Sequence, residues 1–415
     1  MMDRSVTAVG AGSGAAVEAP GCAKLPRVVH VSADFPDPII SAKTPVIRSL
    51  LELTRDQFAH SVISLNRRSP GFSDLLGGCA ARRTQFEWGD AREYRAPPLG
   101  IFHAAMLRRL GKQLAEELAA DPPALLVGHK LTIEGLVVAE AARRLRIPYA
   151  ITIQGNSDTK ILAARPDLAR QFAQVFHNAA AVFAFAPWSL AEAERRLGKR
   201  AVAGLLIPCP TDLDTPLAPL GAGVGLLSAF HLRHHRNKNL AGIGAGLRLL
   251  RADGETAEFT LLGGGNALEA EQCRSVLGGI SGTSVVTGLD REALRLAMNG
   301  AVGFVLPSHR ESFGLVFIEA LFAGLPVVYP DNRAIAGWFD DLPFAIPVDP
   351  RNPQAVAAAM KRLICEEMPL KQALADWQNT PHARQFTRPN IAARFAAGLC
   401  QAAAPPDTRL PIAPE

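Results

Sequence analysis

The chain has 415 residues, too many for one ordinary domain, and 48% of them are hydrophobic while only 6% are aromatic, so two domains with aliphatic cores are expected. Its net charge of +5 comes from 44 Lys and Arg against 39 interspersed Asp and Glu, which suits a phosphate-bearing ligand or an anionic membrane surface and offers no basic arm for nucleic acid. The six cysteines (22, 79, 209, 273, 365 and 400) lack metal-site spacing, so a reducing, cytoplasmic setting is expected.

In chain order, residues 1–25 read as a disordered tail rich in small residues, with no compact apolar segment of a secretory signal. A domain over 26–213 follows. RVVHVSA (27–33) reads as a strand, TPVIRSLLELT (44–54) as a helix and HSVISL (60–65) as a strand. ALLVGH (124–129) is a further strand, with an amphipathic helix over 133–145 after it. PYAITIQG (148–155) and AAVFAFA (180–186) continue the β-α-β rhythm of a parallel sheet. A Pro- and Gly-rich stretch, 208–223, marks a linker centred on 214–224.

The rhythm then restarts in a second domain, 225–380. Strands are expected at 225–230, 258–265, 283–288, 303–308 and 326–330. A helix over 381–400 is expected to return to the first domain, and 401–415 reads as a loose tail. Two doubly wound α/β domains would place a ligand beyond the carboxyl ends of their strands, in a cleft.

Three stretches of the second domain carry chemistry. HLRHHRNKN (231–239) clusters Arg233, Arg236 and Lys238 at a strand end, where they would neutralise a diphosphate; a solvated charge run is the alternative. Metal binding by His231, His234 and His235 lacks a carboxylate partner and is not expected. LLGGGNA (261–267) sets Gly263, Gly264 and Gly265 between a strand and a helix, though a tight turn alone needs glycines. PSHRESFGLVFIEALFAGLPVV (307–328) encloses an apolar helix over Phe313–Ala323, with Ser312 as its N-cap and Gly324 as its C′ residue. Its first N–H groups, from Ser312, Phe313 and Gly314, would face a phosphate. Glu319 sits in that apolar helix, either on a narrow solvent stripe or buried against hydrogen-bond donors.

The spacing of Glu311 and Glu319 in this stretch resembles the E-x7-E region of retaining glycosyltransferases of the GT-B fold, in particular glycosyltransferase family 4 (glycosyl transferases group 1). LLGGGNA and TSVVTGLD (283–290) are similar to that family's glycine loop and base-contacting loop, the latter carrying Leu289. The resemblance implies a GT-B architecture, two tandem Rossmann-like domains facing across a cleft, and transfer of a hexose-type sugar from a UDP- or GDP-linked donor. It implies that Arg233 and Lys238 stabilise the departing diphosphate, Glu311 contacts the transferred sugar and Glu319 binds the ribose. Phe313, Gly314 and Leu315 would touch donor through their amides. No cofactor or metal is implied. The acceptor would be a carbohydrate or lipid-linked hydroxyl of surface polysaccharide, lipopolysaccharide or glycolipid synthesis, with peripheral contact at the inner face of the cell membrane.

The chain departs from the pattern in three places. In the first domain DPIISAKTP (37–45) stands where the family has a glycine-rich loop and Gln154 stands for a histidine; in the second, Phe230 ends the strand where an arginine is usual. His129 and Gln154 are the acceptor-side candidates. Asp212 and Asp214 match a DXD metal motif formally but fall in a turn. A nucleotide-sugar epimerase or hydrolase, or a non-catalytic nucleotide-sugar-binding scaffold, are the competing readings.

Overall fold

In the computed structural model, which describes residues 25–68, 82–96, 100 and 102–405, the chain builds two sheets flanked by helices. Cys22, Cys79 and most of the two tails lie outside the described residues. The first sheet has eight strands: β1 (Arg27–Ser32), β2 (Ala59–Arg68), β3 (Arg83–Phe86), β4 (Gly89–Arg95), β5 (Leu125–Gly128), β6 (Tyr149–Ile153), β7 (Ala181–Ala184) and β8 (Leu205–Leu206). They lie in the order β3-β4-β2-β1-β5-β6-β7-β8, all parallel except the β3–β4 hairpin. That hairpin escaped the sequence reading because its charged residues break the apolar alternation.

Six parallel strands form the second sheet: β9 (Leu226–Ala229), β10 (Phe259–Leu262), β11 (Thr283–Val286), β12 (Gly303–Val305), β13 (Val327–Pro330) and β14 (Ala345–Val348). Their order is β11-β10-β9-β12-β13-β14. The strand order reverses beside β9 in this sheet and beside β1 in the first, the usual ligand-binding switch points.

The helices that position the cleft are α1 (Val46–Leu53), α2 (His103–Leu118), α3 (Glu134–Leu145), α4 (Asn156–Ala164), α5 (Ala169–Asn178) and α6 (Pro187–Leu197) in the first half. In the second are α7 (Leu240–Ala252), α8 (Ala267–Leu277), α9 (Arg291–Asn299), α10 (Leu315–Phe322), α11 (Pro353–Cys365), α12 (Glu367–Gln378), α13 (Pro381–Arg384) and α14 (Arg388–Ala403). Residues 207–225 are no free linker. The Leu217 N–H donates to the Phe322 carbonyl, and Asn299 and the buried Lys371 donate to the carbonyls of Ala218 and Leu220. The segment is therefore strapped along the second domain.

The cores are mainly aliphatic, with one aromatic knot. Phe339, Trp377 and Phe386 stack around Trp338, His382 and Phe344, with ring centroids 5.0–6.2 Å apart, and hold α12 and α13 on the second domain. α14 then crosses to the first domain and packs against α1 and β5–β7, with Phe395 5.2 Å from Phe183. Gly398 is required there, because a Cβ would sit 2.4 Å from the Phe183 ring.

Three histidines, two buried and His60 part-buried, line up across adjacent strands of the first sheet. His129, an acceptor-side candidate in the sequence, is one of them and is fully buried, so it faces the core and not the cleft. Its Nε2 is 3.0 Å from His30 Nδ1, and His30 Nε2 is 2.9 Å from His60 Nδ1. His60 Nε2 meets Thr54 Oγ1 at 2.9 Å, and Thr152 Oγ1 lies 3.3 Å from His129 Nδ1. The Thr54 hydroxyl gives its proton to the Leu50 carbonyl, so it must accept from His60. A neutral imidazole carries one donor and one acceptor, and this end therefore fixes every tautomer. All three rings hold their proton on Nε2, and Thr152 donates to the last Nδ1.

An added proton would break that one-way chain. Burial first, then the neighbouring imidazoles, hold His30 well below the ordinary histidine value; burial lowers His60 to about 4 and His129 to about 3. The unfolded chain takes up these protons near pH 6.5, so between there and about pH 4 it binds more protons than the folded chain and stability falls as pH falls. Urea denaturation at pH 7.0 and 4.5 is expected to show a loss on the order of 2 kcal/mol for each of the three histidines. Replacing His60 with Gln is expected to shrink that pH dependence.

Candidate functional site

The two sheets present their carboxyl ends to a shared cleft of about 630 Å³. On the second domain, β9 ends at Ala229, and the following 3-10 turn, Leu232–His234, turns His231 and His234 into the cleft. His235 turns away, its Nδ1 3.1 Å from the Leu232 carbonyl. Lys238 also lines the cleft, and its ammonium is ion-paired with Glu311, both side chains being mostly buried. Arg233 and Arg236 are exposed and do not line it. The Arg233 guanidinium touches it only indirectly, donating from Nε to His234 Nε2 at 3.1 Å.

The opposite rim is the turn before α10. Glu311, Ser312, Phe313, Gly314 and Leu315 all line the cleft. The expected N-cap at Ser312 is corrected here. The helix starts at Leu315, and Gly314 is the capping residue, with φ 78° and ψ 69° and no side-chain cap. The reason is steric, because a Cβ on Gly314 would lie 2.6 Å from the Phe317 ring and 3.0 Å from Glu311 Cγ. The serine is drawn elsewhere, its Oγ accepting from Asn156 Nδ2 of the first domain at 3.3 Å. Gly324 does close the helix, with φ 80°.

Glu319 is buried, not on a solvent stripe. Thr211 Oγ1 donates to its Oε1 at 2.7 Å and Arg291 Nη2 lies 3.4 Å from the same oxygen. The protein itself thus satisfies this carboxylate, and no ribose is needed to explain its burial. Asp212 and Asp214 are likewise engaged, Asp212 with Arg291 and Arg388, and Asp214 with the Arg388 backbone N–H at 2.7 Å.

Beside the main cleft, and sharing Ala229, Phe230 and Val316 with it, lies an apolar recess of about 270 Å³. Leu262, Gly263, Gly264, Leu289 and Leu294 complete it. Gly263 is a close-approach glycine: a Cβ would fall 1.9 Å from the Phe230 carbonyl oxygen. Gly264 differs, because a Cβ there would point into open space, with only the His231 ring near, at 3.9 Å. Gly265 does not line the recess; it packs beside the Asn266–Glu269 capping box that starts α8.

From the first domain come Asp34, Thr44, Gln154 and Ser157. The loop after β1 is rigid for a reason the sequence hid. Asp37 accepts from the N–H groups of Ile39 and Ile40 and from Lys43, Ser64 and Asn66, all at 2.5–2.9 Å. Burial alone would raise its carboxyl, yet these donors hold it well below the usual carboxylate range. Sequence reasoning also missed His231 and His234 as cleft residues, having weighed them only as metal ligands. Their place two to five residues beyond a strand end was the available signal.

Sequence and structure comparisons agree with this fold. Residues 226–366 match a family model described as Glycosyl transferases group 1. No curated protein matches the chain in sequence. Among solved structures, a sucrose-phosphate synthase from Thermosynechococcus elongatus is 20% identical with TM-score 0.63, covering 90% of this chain and 98% of that one. An α,α-trehalose-phosphate synthase (UDP-forming) from Burkholderia xenovorans, in complex with glucose-6-phosphate, is 12% identical with TM-score 0.62, over 91% and 100% of the chains. An E. coli structure described as trehalose-6-phosphate bound with UDP-2-fluoro glucose is 12% identical with TM-score 0.60, over 90% and 98%. The architecture is GT-B, and the second domain matches the model of glycosyl transferases group 1. Fold and domain together define a glycosyltransferase.

The Gly314 turn yields a direct test. Gly314→Ala is expected to cost about 1–3 kcal/mol in urea denaturation, combining a left-handed backbone with the Phe317 clash. Gly254→Ala is the control, since its φ is +86° with nothing within 4 Å of the added methyl. It should cost about 1 kcal/mol, the backbone component alone.

Proposed function

We propose that the protein is a retaining transferase of glycosyltransferase family 4 type, moving a hexose from a nucleoside diphosphate donor to a carbohydrate or lipid-linked hydroxyl. The observation that carries this reading is the pairing of two adjoining spaces of different character. The apolar recess at Gly264 and Leu289 suits a nucleobase, and the cleft with Lys238, His231 and the α10 start suits a diphosphate and sugar. UDP is the first nucleotide to test, GDP the second.

In this reading Lys238 exchanges partners on donor binding. Without ligand its charge is met by Glu311. A diphosphate would draw the ammonium to its oxygens and free the Glu311 carboxylate for hydroxyls of the transferred sugar. Arg233 would join from the rim by turning away from His234, and Arg236 is equally near in sequence. The amides of Phe313, Gly314 and Leu315 border the same space, and a helix N-terminus favours the developing negative charge. Glu319 would bind ribose through the oxygen that Thr211 and Arg291 leave.

The transfer step then needs no metal. The acceptor oxygen bonds to the anomeric carbon on the face the diphosphate leaves, and the carbon–oxygen bond to the β-phosphate breaks with its electron pair going to the phosphate. The acceptor proton passes to that departing phosphate oxygen, so no protein base is required. Peripheral membrane contact follows only if the acceptor is lipid-linked; among the described residues no helix is long and apolar enough to cross a membrane.

Calorimetric titration with UDP, GDP and ADP tests the donor site. One nucleotide is expected to bind, and Glu319→Ala and Lys238→Ala should each weaken it about tenfold or more, roughly 1.4 kcal/mol. Gly264→Val is the sharper probe, because its side chain enters open space and should leave the melting temperature nearly unchanged while blocking the base. Equal nucleotide affinity in Gly264→Val and wild type would refute the assignment of the recess.

A further inference from the structure

The first-domain wall of the cleft contains a built polar arrangement that the donor site does not use. Asp34 follows β1, lines the cleft and is about 30% exposed in its side chain. Its Oδ2 is ion-paired at 2.6 Å with Lys130, whose own side chain is only 7% exposed. The backbone on either side is fixed as well. Asp34 N–H donates to Ser32 Oγ at 3.1 Å, and the preceding Ala33 N–H donates to Oε1 of the fully buried Glu134 at 2.5 Å.

Lys130 has three carboxyl neighbours, Asp34, Glu134 and the fully buried Asp158. Burial pushes the Glu134 carboxyl up to about 7 and raises that of Asp158, so Asp34, which alone of the three lines the cleft, is the carboxylate paired with this cation there. Asp158 in turn accepts from Thr132 and from the backbone N–H of Gln154 at 3.3 Å, which fixes Gln154 at the end of β6. The Gln154 side chain lines the same cleft, and its Nε2 is buried with no hydrogen-bond partner in the protein. A buried amide donor without a partner costs on the order of 1–3 kcal/mol unless a ligand fills it.

A carboxylate acceptor and an orphan amide donor on one wall are complementary to adjacent hydroxyls, one donating and one accepting. We propose that Asp34, clamped by Lys130, reads the acceptor, taking a hydroxyl or ammonium donor of a saccharide and turning anionic groups away from that edge, with Gln154 Nε2 donating to a neighbouring oxygen. The inference rests on the transferase reading of the cleft. It goes beyond it by naming the acceptor chemistry: a neutral or amino sugar edge faces Asp34, and any phosphate or carboxylate the acceptor carries points elsewhere.

Saturation-transfer NMR on the full-length chain, with glucose, glucosamine and glucuronate as probes, tests this without needing a donor. Glucose and glucosamine are expected to bind wild type and glucuronate to bind about tenfold more weakly or not at all. Asp34→Asn should weaken glucosamine about tenfold and narrow its advantage over glucuronate, and Asp34→Glu should restore part of it. Unchanged nucleotide affinity and melting temperature in Asp34→Asn would show that the fold is intact. The proposal is overturned if no probe gives a contact sensitive to Asp34→Asn, or if wild type binds glucuronate as tightly as glucosamine. Failure of the nucleotide titration would instead strike the donor site and leave this measurement standing.

Discussion

The two sheets meet where Gly155 passes between the Trp188 indole and the backbone of Ser312. A side chain on Gly155 would lie 2.9 Å from the indole and 3.3 Å from Ser312 Cα, and its φ of 113° suits glycine alone. This close approach lets Asn156 reach both sides of the seam. Its amide donates to Ser312 Oγ, and its carbonyl accepts from Arg333 Nη1 at 2.9 Å. Arg333 in turn lies over the Trp188 ring at 5.8 Å, while Trp188 Nε1 donates to the Ala334 carbonyl at 3.0 Å. The turn that carries Glu311 and starts α10 is thereby held from the first domain. This seam holds the two walls of the cleft together.

Charge is distributed unevenly across the cleft. The second-domain wall offers Lys238 and two imidazoles, with Glu311 as the only described carboxylate lining that side. The first-domain wall offers Asp34 with its cation held behind it. Opposed walls of this kind orient a ligand whose one end is anionic and whose other end carries hydroxyl donors, before any specific contact is made. The buried histidine chain behind the acceptor wall adds no charge at neutral pH, so it stiffens the sheet without disturbing this gradient.

How much of this was legible in the sequence depended on how local the signal was. The strands were readable because parallel, doubly covered strands are near-continuous apolar runs, as in Val28–Val31 or Val327–Val328. Glu311, Phe313, Gly314 and Lys238 were picked out by their resemblance to a known motif, and they lie six to nine residues beyond a strand end, lining the cleft. Long-range partners were not readable. Nothing near Glu319 announces Thr211, which is 108 positions away, and nothing in VGH announces that His129 meets His30, 99 positions away. The N-cap failed for a different reason. Ser312 has the right chemistry, but Gly314 alone tolerates the turn, and the serine found a partner on another domain.

The chain passes between the domains twice, once through residues 207–225 and once just before α14. Those passages are not independent. Asp214 in the first accepts the Arg388 backbone N–H of the second, and its other oxygen lies 3.4 Å from the Arg388 guanidinium. Asp214 is itself buried. Two crossings pinned at a common point behave as the two leaves of a door on a single pin, not as two tethers. A shared pin of this kind resists sideways sliding of one sheet over the other more than rotation about it, so it keeps the two cleft walls in register.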